Sequence, residues 1–318
     1  MKAYVIRRLL LLIPTWVLLT ILVFLSVRFI PGDVIDAMVG RMQYMAGDID
    51  REALEKMLGL DQPVHVQYGR WVGSMLFEGT MGDSLLGGWS VEEKIFGRLA
   101  LTIELGLLAI FIALIIAVPV GIFSALRQDT AMDYAGRSFA ILGLATPDFW
   151  LATMIMIYPA IWWAWSPPME LIPFTEDPVG HLSTFVLPCL ILGTHFSASI
   201  MRLTRTMMLE VLRQDYIRTA WSKGLRERVI IVRHAIKNAL IPVVTLIGLH
   251  FPLLVGGSVI IENIFALPGL GRLLLDALSD RDYPVVSGVN LLFATVVMGG
   301  NLLVDLIYPY LDPRVRYE

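Results

Sequence analysis

Six long stretches of the chain carry almost no charge, and polar segments of uneven length separate them. They run approximately over 9–28, 100–126, 138–165, 183–200, 239–261 and 285–311. A hydrocarbon layer about 30 Å thick is crossed by about 20 helical residues rising about 1.5 Å each, and the windows have that length. Lipid offers no water to backbone amides, so a spanning segment must be a helix or part of a closed barrel. A barrel needs short alternating segments of about ten residues, and none stands out. The pattern predicts an all-α integral membrane protein with six transmembrane helices. Pro119, Pro147, Pro159, Pro188, Pro242, Pro252 and Pro309 fall within or at the ends of these windows, where each removes a backbone donor and can kink its helix. Ordinary membrane-helix proline usage accounts for them better than a dedicated gating role.

The charges give the predicted bundle a direction. With six crossings, residues 1–8, 127–137, 201–238 and 312–318 share one side and hold 16 Lys and Arg in 64 positions, against 8 in the 111 positions of 29–99, 166–182 and 262–284. By the positive-inside rule the first side is cytoplasmic, and both termini lie there. The first window follows Lys2, Arg7 and Arg8 as a signal peptide would, but it is too long for one and ends in Arg28-Phe29-Ile30-Pro31-Gly32-Asp33 rather than a small-residue cleavage site. It reads as an uncleaved span. Four segments result: an N-terminal transmembrane helix (1–29), an extracytoplasmic segment (30–99), a five-helix core (100–311) with a cytoplasmic segment at 208–238, and a cytoplasmic tail (312–318).

Composition agrees, with 56% hydrophobic and 17% charged residues in 318, against about 45–50% and about 25% in soluble domains. A single cysteine, Cys189, rules out a disulfide scaffold and reads as a packing residue. The chain has no phosphate-binding glycine loop, no paired metal histidines, no C-x-x-C and no nucleophile elbow. His65, His181, His195, His234 and His250 are dispersed singly, so neither a metal site nor an enzymatic centre is expected. Energy from ATP has to come from another chain.

The segment 201–238 carries most of the remaining information. It contains Gln214-Asp215-Tyr216-Ile217-Arg218-Thr219-Ala220-Trp221-Ser222-Lys223-Gly224-Leu225. Asp215 can cap a short helix that ends at Gly224, a natural left-handed C′ residue. A second helix then leads into the fifth span. Ile217, Ala220 and Trp221 fall at i, i+3 and i+4, an apolar face with little to bury it unless a partner does, while Arg218 and Lys223 form a basic face. A basic helix lying on anionic lipid is the simpler alternative.

This segment resembles the EAA-type coupling loop of ABC-transporter permeases, in the form found in the oligopeptide/dipeptide branch. Arg218 and Thr219 stand where the general pattern has Glu and Ala, and His234 to Lys237 replace its downstream I-x-L-P; both departures are shared by that branch. The first span's exit at Arg28 to Asp33 is similar to the same branch. So are Thr146-Pro147-Asp148-Phe149-Trp150, the run from Glu262 to Leu273, Arg281-Asp282-Tyr283-Pro284-Val285-Val286, and the ending Asn301-Leu302-Leu303-Val304-Asp305 with Asp312-Pro313-Arg314-Val315-Arg316. Five motifs in order make the match specific over nearly the whole chain.

The resemblance implies the type I ABC importer permease (MetI-like) fold in a bacterial or archaeal cytoplasmic (inner) membrane. It implies one half of a heterodimeric import channel, with a second homologous permease, one or two cytoplasmic ATPase subunits and an extracytoplasmic solute-binding protein as partners. No nucleic acid is involved, and ATP and Mg belong to the ATPases, with no cofactor in this chain. Asp215, Tyr216, Arg218, Thr219, Ala220, Lys223 and Gly224 form the implied ATPase-coupling set. Asn263, Phe265, Leu267, Pro268, Gly269 and Gly271 suit a compact extracytoplasmic gate loop. Residues 30–99, with 11 acidic and 6 basic side chains, are expected to form a small ordered domain, with helix-like pieces such as 50–58 and a Gly-rich turn at 86–89, that meets the binding protein or the second permease. Among ionisable groups in the spans, Glu104, Asp148, His195 and His250 are candidates for the pathway, since such groups are costly in lipid and face the bundle interior; Asp305 lies near a span end. The branch handles di- and oligopeptides, glutathione, nickel complexes and some sugars, with peptide the commonest. The same hydropathy also suits a secondary carrier driven by an ion gradient, or a membrane scaffold; the coupling segment argues against both.

Overall fold

The computed structural model describes residues 2–28, 52, 55, 56 and 59–311. Helices dominate: α1 (Lys2–Arg28), α2 (Val64–Gly73) with a π-helical turn at Ser74–Glu78, α3 (Val91–Leu126), α4 (Ala131–Ala145), α5 (Asp148–Trp163), α6 (Pro178–Leu212), α7 (Asp215–Ser222), α8 (Glu227–Val229) with a π-helical stretch at Ile230–Ile236, α9 (Lys237–Ile264), α10 (Leu270–Asp280) and α11 (Tyr283–Leu311). Among the described residues the only β contact is a single bridge between Asp83 and Ser90. The helices begin earlier than the apolar windows predict. At about 1.5 Å per residue, the 35 residues of α6 are about 52 Å long, so α6 runs well beyond a 30 Å hydrocarbon layer.

The third window departs most from expectation. It is two helices, α4 and α5, bent by 92°. Pro147 is the cause: it forces Thr146 into an extended conformation (φ −93°, ψ 118°) and cannot continue the ladder of α4. One proline among those read as ordinary kinks therefore breaks its span outright.

The chain divides into two compact units, Met1–Thr102 with Pro268–Met298, and Ile103–Leu267 with Gly299–Glu318. In the first, Val27, Val91, Ile95, Leu270, Leu273, Val285 and Val289 form a buried cluster. Thr20 meets the Tyr68 hydroxyl at 2.9 Å, which ties α2 to α1. The Gly-rich turn expected at 86–89 is present. Ser84 N–H donates to Trp89 O at 2.9 Å, and Asp282 clamps the turn by accepting from Ser84 Oγ and from Leu85 N–H (3.2 Å). The helix-like piece expected at 50–58 lies largely outside the described residues.

In the second unit α3 and α6 pack along their length. Successive contacts pair Glu104 with His181, Leu105 with Cys189, Ile112 with Gly193 and Gly121 with Thr204. Both numbers rise together, so the helices are parallel. Two parallel spans need the chain between them to return across the membrane, so the broken α4–α5 pair supplies a crossing and the described residues hold six spans. Glycine makes the approach close: a Cβ on Gly193 meets Ile112 at 2.8 Å and the Ala109 carbonyl at 3.0 Å, and one on Gly121 meets Thr204 at 2.8 Å. Without a hydrophobic drive between helices in lipid, such backbone proximity is a main source of association. Cys189 is buried in this seam, as a packing residue should be.

Gly193→Val is therefore expected to cost about 1–3 kcal/mol through overpacking. The thermal unfolding midpoint of the purified protein should fall, whereas Gly97→Ala, whose added Cβ meets nothing within 4 Å, should leave it unchanged or raise it. Equal effects from the two substitutions would contradict the close approach.

Candidate functional site

The basic segment after α6 is a built structure. Gln214 is the N-cap of α7, without a side-chain cap bond, and Asp215 is its first helical residue. Asp215 thus stands one position later than the cap predicted for it, still where a carboxylate favours the helix N-terminus. The C-terminus follows expectation. Gly224 has φ +73°, its N–H donates to Trp221 O (2.9 Å), and Leu225 N–H donates to Ala220 O (3.4 Å). This is a Schellman termination, which a side chain at position 224 would strain.

The apolar face of α7 differs from the sequence expectation in one respect. Ile217 and Ala220 are buried within the chain, against Met208, Ile230, Ala235 and Ala239. The projecting end of α6 and the π-helical stretch before α9 supply that core, which periodicity within α7 could not reveal. Trp221 is not part of the buried face. It is exposed, as are Tyr216, Leu225, Val229 and Val232. Of the seven candidate coupling residues, Asp215, Tyr216, Arg218, Thr219, Lys223 and Gly224 are exposed and Ala220 is buried beneath them. The outward surface is thus basic and aromatic.

One residue that sequence reasoning missed locks this hairpin. Asn238 Nδ2 donates to the Tyr216 hydroxyl (2.9 Å) and to the His234 carbonyl (3.0 Å). A π-helical turn widens the backbone at Ile230–Ile236, and such turns often mark functional positions. Nothing local in the sequence distinguishes Asn238, because its partner lies 22 residues away.

A second lock lies at the base of α6. Arg205 donates to both carboxylate oxygens of the fully buried Asp133 (2.8 and 2.7 Å), and Ser124 Oγ and Asp129 N–H (3.1 Å) also donate to that carboxylate. Thr130, the N-cap of α4, accepts from Asp133 N–H. The cap signal Thr-x-x-Asp was visible in the sequence; the partner 72 residues away was not. The arrangement ties the ends of α3, α4 and α6 together just before the hairpin.

Among the intramembrane candidates, three come together. Asp148, the first residue of α5, has Oδ1 3.1 Å from His195 Nδ1 on α6. His250 on α9 faces Ser199 Oγ at 3.5 Å, and Phe196 packs its ring between the two imidazoles, 5.9 Å from His195 and 5.3 Å from His250. His250 Nδ1 is buried with no hydrogen-bond partner among the described residues. The fourth candidate, Glu104, is engaged elsewhere. It pairs with His181 Nε2 at 2.9 Å, and His181 Nδ1 meets the Ile172 carbonyl at 2.8 Å, so this pair reads as a clasp between α3 and α6. No three His, Cys, Asp or Glu among the described residues form a metal site.

Of the six expected gate residues, Phe265, Leu267, Pro268 and Gly269 lie in a turn, while Asn263 and Gly271 belong to the helices on either side. A five-residue turn follows α9, and α10 (Leu270–Asp280) occupies the rest. Phe265, Leu267, Gly269 and Gly271 are buried, while Asn263 and Pro268 are exposed. The turn closes through Leu267 N–H to Glu262 O (2.8 Å), with Ala266 at φ +54°, a conformation that non-glycine residues rarely adopt. The i, i+3, i+7 spacing of Leu270, Leu273 and Ala277, all buried, is a helical signal present in the sequence that the reading as a loop passed over.

A polytopic helical bundle with a basic, rigid hairpin on one side is the class of protein these features define. Residues 117–317 match the family described as binding-protein-dependent transport system inner membrane component, and the chain belongs to that family. Over the full length of both chains it is 42% identical to a Brucella abortus protein provisionally named a peptide transport system permease protein. It is 38% identical to the oligopeptide transport system permease protein of Bacillus subtilis and 37% to the dipeptide transport system permease protein of Escherichia coli, again over the full length of each. Among solved structures, a chain of an amino acid ABC transporter crystallised with histidines superposes with a TM-score of 0.52 at 16% identity, over 69% of this chain and 94% of that one. The fold is that of an ABC importer permease. The family supports a multi-pass membrane permease and gives no support to a carrier driven by an ion gradient.

Removing one partner of the buried pair leaves an uncompensated charge, so Arg205→Ala is expected to cost about 3–5 kcal/mol. The double variant Asp133→Leu/Arg205→Met should lose less than Arg205→Ala or Asp133→Ala alone, measured by thermal or denaturant unfolding of the purified protein. Additive losses would show that the two groups are not coupled.

Proposed function

We propose that this chain is one half of the translocation channel of an ATP-driven importer of peptides. A second, homologous permease completes the channel, cytoplasmic ATPases carrying ATP and Mg dock on the α7 hairpin, and an extracytoplasmic binding protein delivers the cargo. The peptide assignment rests on the names of the relatives, and the orientation, with both termini cytoplasmic, rests on the excess of Lys and Arg on that side.

The observation that carries the reading is the rigidity of the exposed hairpin. ATPase closure can move spans only through an element that does not itself yield. The α7 hairpin has a glycine-terminated helix, a buried underside and a Tyr216–Asn238 latch to the start of α9, so a push on Tyr216, Arg218, Thr219 or Lys223 is passed to α6 and α9. Those helices carry His195, Ser199 and His250. With Asp148, these groups offer a peptide's charged ends both acceptors and donors within the membrane. Asn263, Phe265, Leu267, Pro268, Gly269 and Gly271 act as the extracytoplasmic gate by the same movement, their turn shifting as α9 shifts.

Gly224→Val forces a β-branched residue into the left-handed region at a cost of about 1–2 kcal/mol. The variant should reach the membrane and bind its partners while peptide uptake by the reconstituted importer falls about tenfold; Gly224→Asn, which tolerates that conformation, should retain most uptake. Unimpaired uptake with valine excludes a coupling role for the cap. Separately, replacing residues 215–224 with a Gly/Ser linker should abolish co-purification of the ATPase, and retention of the ATPase would move the docking site elsewhere.

A further inference from the structure

Where α1 ends, three donors converge on one cavity of about 210 Å³: Arg28, Arg70 and Trp71, with Phe24, Gln67 and Tyr283 also in its wall. Among the described residues Arg28 contacts only neutral groups. Its guanidinium stacks 3.6 Å over the Phe24 ring and donates to the Phe24 carbonyl (3.4 Å) and to Gln67 Oε1. Gln67 is itself fixed, its Nε2 donating to the carbonyls of Leu60 (3.3 Å) and Gln62 (2.7 Å). Among the described residues neither Arg28 nor Arg70 has a carboxylate partner. Trp71 Nε1 is buried with no acceptor among them. Among the described residues, a half-buried guanidinium, an exposed one beside it and a buried indole N–H without an acceptor line a cavity that offers donors and no carboxylate, and a buried donor such as that N–H is normally satisfied.

We infer that this cavity binds the phosphate of a phospholipid headgroup from the leaflet around the Arg28 end of α1. Guanidinium forks match phosphate oxygens in pairs, and the indole N–H supplies a further donor. The position favours a lipid over a free anion. Arg28 closes a transmembrane helix, and the turns before it expose Leu18, Ile21 and Leu22, an apolar flank along which an acyl chain can lie once its headgroup is held. Trp71 and Tyr283 are the residue types that gather at the level of headgroups. The lipid would pin α2 to α1 from outside, beside the bond from Thr20 to Tyr68.

The test uses the purified, delipidated full-length permease and native mass spectrometry with three probes: phosphatidylglycerol, a galactosyl diacylglycerol of the same acyl chains, and phosphatidylglycerol competed by excess inorganic phosphate. The phospholipid should be retained about tenfold more strongly than the galactolipid, a difference of about 1.4 kcal/mol, and inorganic phosphate should not displace it. Arg28→Gln/Arg70→Gln should abolish the preference. Trp71→Phe, which keeps an aromatic side chain while losing the N–H donor and the pyrrole ring, should weaken it, and decides the matter if the double variant does not fold. Equal retention of the two lipids, or an undiminished preference in Trp71→Phe and in any folded double variant, overturns the assignment. Displacement by inorganic phosphate overturns it as well, giving the cavity to a free anion.

Discussion

The parallel contact of α3 with α6 is the constraint from which the permease core follows. Hydrocarbon gives apolar side chains no reason to leave it, so two helices stay together only where their backbones approach closely or their polar groups meet. This seam does both. Gly193 and Gly121 let each helix reach the other's main chain, and the Glu104–His181 clasp and the Asp133–Arg205 network sit toward opposite ends. Because the pair is parallel, the chain between must cross the membrane once more, and it does so through a span that Pro147 has broken in two.

That break places Asp148 at the start of a helix rather than within one, and so brings it to His195. The remaining polar groups in the spans sort by the same logic. Glu104 and His181 satisfy one another at a helix seam, whereas His195 and His250 each keep a buried Nδ1 without a hydrogen bond among the described residues, His195 with only the nearby Asp148 carboxylate.

The far end of α6 carries a compact hairpin on its projecting turns. The helix outlasts the hydrocarbon, the buried ion pair braces its base, and Met208 helps bury the underside of α7. What faces outward is a short, terminated helix bearing tyrosine, tryptophan and basic side chains. Its conformation comes from glycine geometry and from the Tyr216–Asn238 bond, so it is set before any partner arrives.

Length and hydropathy alone were enough to predict a helical membrane protein with six crossings, because a bilayer imposes its thickness on every span and forbids unpaired amides. Motif order was enough to place the chain with binding-protein-dependent permeases, and Gly224 announced its left-handed turn, since few other residues accept that conformation. Only the tertiary structure could decide that Ile217 and Ala220 face inward while Trp221 faces out, and that Glu104 parts company with Asp148, His195 and His250. Each of these depends on a partner 9 to 77 residues away in the chain, such as Ile217 on Met208 or Glu104 on His181. Local pattern records which residues favour burial or charge. Which neighbour satisfies them is determined by how the spans pack.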